Sequence, residues 1–235
     1  MGIAANPESR TPLSRERVLR AAVVLADDGG IESLSMRRLG QALGVEAMSL
    51  YNHARSKEDI LDGIVDVVVG EIELIPRSAD WQVSLRSQVL AARAVLRSHP
   101  WMPRVVETRP SAGPASMRYL EAVIAILREG GFSVDLTHHA MHVLGSRVFG
   151  FNQELFDDTG DTVETTEAGD AGEAGARPPI VPPDIAGMAA RYPYITELAA
   201  AVSHEGALGG CDDEVEFAFG LDLILDGLER LRAGG

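Results

Sequence analysis

The side chains with the clearest chemical role lie in residues 33–61, SLSMRRLGQALGVEAMSLYNHARSKEDIL. Two short helix-forming stretches flank Gly44, the pattern of two helices joined by a tight turn. A glycine suits position 44 because a side chain would clash at the turn. We expect Val45 to pack beneath the two helices. The second stretch would expose its side chains to a groove, with donors for phosphates beside them. The segment therefore predicts a helix-turn-helix that reads DNA.

The pattern LSMRRLGQALGV…SLYNH…SKEDIL resembles the signature of the TetR family of regulators. Further matches are similar to the sensor domain of the tetracycline-repressor subgroup: Trp81-Gln82, Thr108-Arg109-Pro110, Gly131-Phe132-Ser133, Glu154 and the C-terminal FGLDLILDGLERL. The resemblance implies an all-α fold, in which a long helix joins an N-terminal three-helix helix-turn-helix domain to a larger helical domain. We place the first domain at 1–60, with 1–12 as a flexible arm. The ligand-sensing and dimerisation domain then covers 61–235.

The resemblance also implies which side chains contact DNA. These are the base readers Ala47, Met48 and Ser49, the phosphate contacts Tyr51, His53 and Lys57, and Arg37, which contacts DNA from the preceding helix. The second helix should also expose Asn52 to the DNA. Arginine and lysine suit phosphate or guanine. The tetracycline repressor has a polar base reader where this chain has Ala47. Because Ala47 and Met48 can touch only thymine methyl groups or fill space, we expect a different operator sequence. Two alternatives stay open: Tyr51 as a packing aromatic, and Arg10, Arg15 and Arg17 as residues that solvate a flexible arm rather than contact the minor groove.

The net charge of -14 opposes DNA binding only if it is spread evenly along the chain. Residues 1–60 hold eight Lys/Arg and eight Asp/Glu, so the first quarter is neutral and the acidic excess lies downstream. A DNA-binding protein needs a locally positive surface, since charges are screened beyond roughly 8 Å at physiological salt. The charge distribution is therefore compatible with double-stranded operator DNA as a partner.

Hydrophobic periodicity and capping residues predict helices throughout the chain. We expect them at about 14–29, 35–43, 46–53, 56–75, 81–98, 114–129, 134–156, 184–203 and 213–232. Prolines between 100 and 114 leave at most a short turn of helix there. No segment alternates with a period of two, so we predict no strands. Residues 157–177 carry seven acids and no base before Arg177, which predicts a mobile acidic loop.

The class of ligand that we expect follows from the resemblance and from the positions where this chain differs from the tetracycline repressors. Tetracycline repressors hold a magnesium–drug chelate with histidines, and Val105, Glu73 and Ser146 take the places of three of these histidines here. We therefore expect no cofactor and no metal-chelated tetracycline, but an apolar or amphipathic inducer. The expected ligand-binding residues are Gln88, Ala92, Val105, Thr108, Arg109, Met117, Leu120, Ile124, Phe149 and Glu154.

Two helices have the character of a dimer interface. The last helix carries apolar residues at a 4-3-4 spacing, and the helix over 134–156 carries small residues that permit close approach. The resemblance implies that both pair with their copies in a four-helix bundle. The expected interface residues are Gly145, Phe149, Phe217, Leu221, Ile224 and Leu228. Periodicity alone leaves a core helix without a dimer open, although two-fold DNA reading favours a homodimer.

Other functions have less support. His138 and His142 stand at i and i+4, a metal-binding spacing, but without a visible third ligand they are better explained as polar residues near a helix start. We find no nucleophile elbow, phosphate loop, HExxH or paired-carboxylate motif, so we do not expect an enzyme. A sensor whose N-terminal half contacts another protein stays open. The single Cys211 and the lack of a membrane-length apolar stretch indicate a cytoplasmic protein without a membrane partner.

Overall fold

The structure is a computed structural model that describes residues 12–109, 113–150, 189–202 and 212–234. Every regular element in these ranges is a helix, which confirms the all-α prediction. The chain forms two compact units, residues 1–150 with 221–235, and residues 151–220. Residues 1–11 of the predicted arm, the predicted acidic loop and Glu154 lie outside the described residues.

The helices are numbered here in chain order. They are α1 Arg15–Gly29, α2 Met36–Leu43, α3 Ala47–Leu50, α4 Lys57–Val69, α5 Trp81–Ser98, α6 Met102–Glu107, α7 Pro114–Glu129, α8 Val134–Phe149, α9 Pro193–Val202 and α10 Asp213–Gly234. A 3-10 turn, Ile31–Ser33, connects α1 with α2. None of these helices is long and apolar enough to span a membrane.

Serine caps set the starts of four helices, as the sequence predicts. The hydroxyls of Ser14, Ser35, Ser56 and Ser133 accept hydrogen bonds from backbone N–H groups in the first turns of α1, α2, α4 and α8. Each bond satisfies a donor that has no partner inside its own helix. The carboxylate of Asp80 does the same for α5, by accepting from the N–H groups of Gln82 and Val83.

Three helices end earlier than predicted. Helix α3 stops at Leu50, and residues 51–53 continue as tighter turns with i to i+3 hydrogen bonds. Helix α4 stops at Val69 instead of 75. Residues 73–78 have no regular structure, and the Gln88 side chain of α5 bonds the backbone of Glu73 and Ile75. Helix α8 ends at Phe149, and the remainder of its predicted span is not described. The proline-rich stretch does contain a helix, α6, with Pro103 in its first turn where a missing N–H costs little.

One apolar core joins the first four helices to the end of α5 and to α6. This N-terminal core buries residues of α1 to α4 together with Leu96, Trp101, Met102 and Val105. Ile60, Ile64 and Val68 lie at intervals of four along α4 and are at most 1% exposed. Burying them stabilises α4 by roughly 1.5–3 kcal/mol per side chain relative to exposure. Helix α6 is thus packed into the same core as the helix-turn-helix.

Candidate nucleic-acid interface and ligand cavity

The turn between α2 and α3 depends on two glycines with different roles. Gly44 has φ +67°, a left-handed conformation that side chains disfavour, but an added Cβ there would meet no atom within 4 Å. The constraint at Gly44 is therefore local: in this conformation a Cβ comes too close to the adjoining backbone, whereas no other part of the chain crowds the position. The constraint from another part of the chain lies at Gly40, where an added Cβ would stand 2.9 Å from the carbonyl oxygen of Val45. Gly40 lets α2 and α3 approach closely.

Helix α3 projects away from the core on the side predicted to read bases. Leu50 is fully buried and anchors the helix, whereas Met48 is 74% exposed and Asn52 is also exposed. Tyr51 is 46% exposed, which argues against the alternative that it is a packing aromatic. Ala47 and Ser49 are half-buried at the base of the helix. The surface offered to a partner is therefore one long apolar side chain flanked by a phenol and an amide.

The helices before and after α3 each carry a cation. Arg37 of α2 is exposed, and Lys57 occupies the first position of α4, where the helix N-terminus adds partial positive charge. Lys57 is the only lysine in the chain. His53 is half-buried next to the start of α4. Donors of this kind suit a phosphate backbone.

An ion pair fixes α1 against α4 beside the surface. The Arg15 guanidinium donates to both carboxylate oxygens of Asp59, at 2.6 and 2.9 Å, and to the carbonyl oxygen of His53 at 3.0 Å. The hydrogen bond from Arg15 lowers the pKa of the Asp59 carboxyl. Asp59 also accepts from the Arg55 N–H at 2.8 Å. Arg15 is thus a structural residue of α1, which corrects the expectation that it solvates an arm.

A cavity of about 980 Å³ lies between α5, α7 and the extended segment after α4. Its wall is formed by Leu74, Ile75, Pro76, Arg77, Gln88, Met117, Arg118, Glu121, Ala122, Ala125, Ile126 and Glu129. Gln88 and Met117 are the two predicted ligand residues among them. The α7 residues recur at intervals of three and four, so helical periodicity could have identified them. Leu120 and Ile124 were predicted from their apolar character, and they are not in the wall.

Gln88 is buried, and both ends of its side-chain amide are already bonded. Its Oε1 accepts from the Ile75 N–H and its Nε2 donates to the Glu73 carbonyl oxygen, both at 3.0 Å. These two bonds hold the segment that forms one side of the cavity. The sequence predicts Gln88 as a ligand-orienting group, and the structure places it as a brace of the wall.

Other predicted ligand residues lie away from the cavity wall. Val105 is 4% exposed and belongs to the N-terminal core, because α6 packs against the helix-turn-helix. Phe149 packs partly buried against the same core. The Arg109 guanidinium lies 3.5 Å from the Asp62 carboxylate on α4, and the Thr108 hydroxyl donates to the Val105 carbonyl oxygen. Ala92 is buried in α5, but it is not in the wall either.

Charged side chains occur in an otherwise mostly apolar wall. Arg77 and Glu129 pair across it at 2.8 Å, while Arg118 and Glu121 are exposed on α7. Within the described ranges, no group of three His, Cys, Asp or Glu could hold a metal ion. The His138 and His142 rings stack edge-on at 4.6 Å on the surface of α8.

The exposed apolar residues of α10 are not the ones predicted for the dimer interface. Phe217, Leu221 and Leu228 are at most 6% exposed and are buried within one chain, so they are not available to a partner. Ile224 and Gly145 are half-buried, and an added Cβ at Gly145 would meet nothing within 4 Å. The exposed apolar residues of α10 are Val215, Phe219, Leu223 and Leu231, at 56–62%. The helix is apolar around most of its circumference, so a 4-3-4 spacing did not identify the outer side.

The packing of α2 and α3 and the exposed surface of α3 define a DNA-binding protein of the helix-turn-helix class. The family model described as "Bacterial regulatory proteins, tetR family" matches residues 18–64, and the one described as "Tetracyclin repressor-like, C-terminal domain" matches residues 76–232. The chain belongs to the TetR family of bacterial regulatory proteins.

Individual relatives cover nearly the whole chain. An HTH-type transcriptional repressor, DrrR1 of Streptomyces coeruleorubidus, is 33% identical over 94% of this chain and 79% of the relative. The class C tetracycline repressor of Escherichia coli is 28% identical over 94% and 92% of the two chains. The apo structure of ActR from Streptomyces coelicolor has the same fold, with a TM-score of 0.71 over 95% and 98% of the chains at 23% identity. These proteins carry the names of transcriptional regulators rather than enzymes.

Proposed function

We propose that this protein is a ligand-responsive repressor that binds a palindromic operator as a homodimer and is released by a small-molecule inducer. One observation carries the proposal. Helix α4 begins at Lys57 beside the reading helix, and the chain that follows it forms the cavity wall from Leu74 to Arg77. Helix α4 and the segment that follows it therefore connect the surface around α3 with a cavity large enough for a drug-sized molecule.

The connection supplies a mechanism for release. A molecule that enters the cavity touches the segment after α4, and any preference for a shifted segment biases the position of α4. In a dimer, two reading helices must reach half-sites roughly 34 Å apart, one turn of DNA. A small rotation of α4 in each subunit changes that separation. Operator affinity would then fall when the cavity is filled.

The composition of the wall indicates the class of inducer. Seven of its twelve lining residues are apolar, and four are charged: Arg77, Arg118, Glu121 and Glu129. This suits an amphipathic molecule with an extended apolar body and one or more ionisable or hydroxyl groups. ActR has been solved in complex with actinorhodin, a ligand of that protein. For this protein we propose an inducer that binds without a chelated metal ion.

The dimer would form through α8 and α10. Phe219 and Leu223 stand one turn apart on α10 and are 62% and 56% exposed, and Val143 of α8 is 45% exposed. Exposed apolar side chains of this size on helices mark an association surface. A two-fold contact would bury them against the same surface of the partner subunit.

The test is a mobility-shift titration on the intergenic DNA upstream of the protein's own gene, with a random-sequence library in parallel. Wild type should bind tightly and lose affinity as salt rises, because phosphate contacts release counterions. The double variant Tyr51→Ala plus Lys57→Ala should lose binding while it remains folded. Tyr194→Ala plus Arg230→Ala, an exposed tyrosine and an exposed arginine outside the helix-turn-helix, should bind like wild type. No binding of either DNA at low salt would refute the proposal.

A further inference from the structure

His99, at the end of α5, is buried, and both of its ring nitrogens have carboxylate partners. Nδ1 lies 2.7 Å from Asp27 Oδ1, and Nε2 lies 3.2 Å from Glu71 Oε2. The indole N–H of Trp101 donates to the same Asp27 oxygen at 2.7 Å. The imidazole is 6% exposed, so water supplies little of its hydrogen bonding. We call this buried cluster of His99, Asp27, Glu71 and Trp101 the junction, and such a hydrogen-bonded network holds its members in one arrangement.

The partners of His99 come from three parts of the chain. Asp27 belongs to the last turn of α1, which packs in the helix-turn-helix core, and Glu71 follows the end of α4. His99 and Trp101 form the connection between α5 and α6. Helix α5 also carries Gln88, which braces the cavity wall. The contacts of His99 therefore tie α1, the end of α4 and the end of α5 together at one point.

The chemistry of imidazole makes this junction depend on a proton. The imidazolium donates from both nitrogens and can satisfy both carboxylates, whereas the neutral ring donates from one and presents a lone pair at the other. Asp27 has the shorter contact with the ring and also accepts from the Trp101 indole, so the one N–H of the neutral ring should stay on Asp27. Glu71 has the longer contact and is 49% exposed, so it can turn to water. Loss of the proton thus releases Glu71.

We propose that His99 is a positioning residue whose protonated ring fixes the end of α4 to α1 and to the α5–α6 turn, so that operator affinity depends on pH. The part that concerns DNA rests on the proposed function. The groups that face the ring are Asp27 from α1, Glu71 from the end of α4 and the uncharged Trp101 from the α5–α6 turn.

The electrostatics of the site set the pH range. Burial lowers the pKa of the His99 imidazole, but the hydrogen bonds to Asp27 and Glu71 outweigh burial and raise it overall. A raised pKa means that the contact is complete below the ordinary value of about 6.5 and is lost as the pH rises through the higher folded value. The transition therefore falls on the alkaline side of about pH 6.5.

Hydrogen exchange at the end of α4 tests the positioning role without DNA. We would measure the amides of residues 66–72 at about pH 6, below the ordinary imidazole pKa, and at about pH 8.5, corrected for the intrinsic pH dependence of exchange. Wild type should lose protection severalfold at the higher pH. His99→Gln should give equal, low protection at both, and the control His139→Gln, an exposed histidine of α8, should behave like wild type. Equal pH dependence in wild type and His99→Gln would overturn the proposal.

Glu71→Gln provides a second variant at a more exposed position, in case His99→Gln does not fold. It keeps the side-chain length and removes the charge, so the pH dependence of exchange should disappear while His99 stays in place. Retention of the full pH dependence in this variant would also overturn the proposal.

A parallel titration on the upstream intergenic DNA separates the two proposals. Wild type should weaken about threefold to tenfold more between the two pH values than His99→Gln does, the effect expected of one hydrogen bond. Equal weakening of the two proteins would overturn the link to DNA. No binding at either pH, with exchange as expected, would refute the proposed function and support the positioning role.

Discussion

Asp66 of α4 caps the N-terminus of α7 across the space between the two helices. Its Oδ1 accepts from the Ser116 N–H at 2.9 Å and from the Ser116 hydroxyl at 3.2 Å. Gly113 has no side chain to cap α7, and an added Cβ there would collide with Asp66. The connecting helix thus supplies the cap that helix α7 lacks. Because α7 forms much of the cavity wall, Asp66 links that wall directly to α4.

Replacing Asp66 by alanine should lower the free energy of unfolding by about 1–2 kcal/mol, the usual effect of losing a helix N-cap. Ser116→Ala is the matched control and should cost less, because the backbone N–H still donates to Asp66. Urea unfolding of both variants measures the difference. An Asp66→Ala protein as stable as wild type would show that water replaces the cap.

Gln88→Ala should destabilise the protein by about 1–3 kcal/mol, because it leaves the Ile75 N–H and the Glu73 carbonyl oxygen without their buried partner. The expected local effect is faster amide exchange at Ile75 and a change in the shape of the cavity. Gln82→Ala, in the first turn of the same helix, controls for the loss of a glutamine. Unchanged exchange at Ile75 would mean that Gln88 does not hold the segment.

Lys57 permits a direct test of the DNA interface, because it is the only lysine in the chain. An amine-reactive reagent can modify only this side chain and the chain's N-terminal amine. Bound DNA should protect Lys57 several-fold if its ammonium holds a phosphate. Mass spectrometry of the labelled peptide reads the result, and protection that survives Tyr51→Ala plus a high salt concentration would contradict a phosphate contact.

The pair formed by Arg15 and Asp59 should make stability depend on acidity. The hydrogen bond from Arg15 lowers the pKa of Asp59, so the pair stabilises the fold above the unfolded pKa of about 3.9 and this stability is lost as the pH falls through the folded value. Asp59→Asn should therefore be less stable than wild type near neutral pH and converge with it in acid. Thermal unfolding between about pH 3 and about pH 7 checks this, and parallel curves would refute it.

Phe219→Glu plus Leu223→Glu should convert the protein to a monomer, because two carboxylates would be buried at the proposed contact between α10 helices. Light scattering measures the oligomeric state. Val83→Glu, which places the same charge on a 53% exposed valine of α5, should leave it unchanged. If the double variant keeps the wild-type mass, the dimer uses another surface.

Much of this protein is determined by local sequence. Serine hydroxyls cap the N–H groups three residues onward, and apolar residues at helical spacing select the buried side, so the starts of α1, α2, α4 and α8 follow from short segments. The helix-turn-helix follows for the same reason, since its signals lie within about thirty residues. The all-α class and the family are therefore readable without coordinates.

Only the tertiary structure decided which side chains meet at the functional surfaces. Apolar character did not separate Met117, which lies in the cavity wall and is 58% exposed, from Val105, which is buried in the N-terminal core, because an apolar residue can occupy either place. Nor did spacing reveal that Phe219, rather than Phe217, lies on the outside of α10. The contacts of Asp66, Gln88 and His99 join residues 13 to 72 positions apart. Such contacts depend on how helices pack, and no short-range pattern in the sequence encodes them.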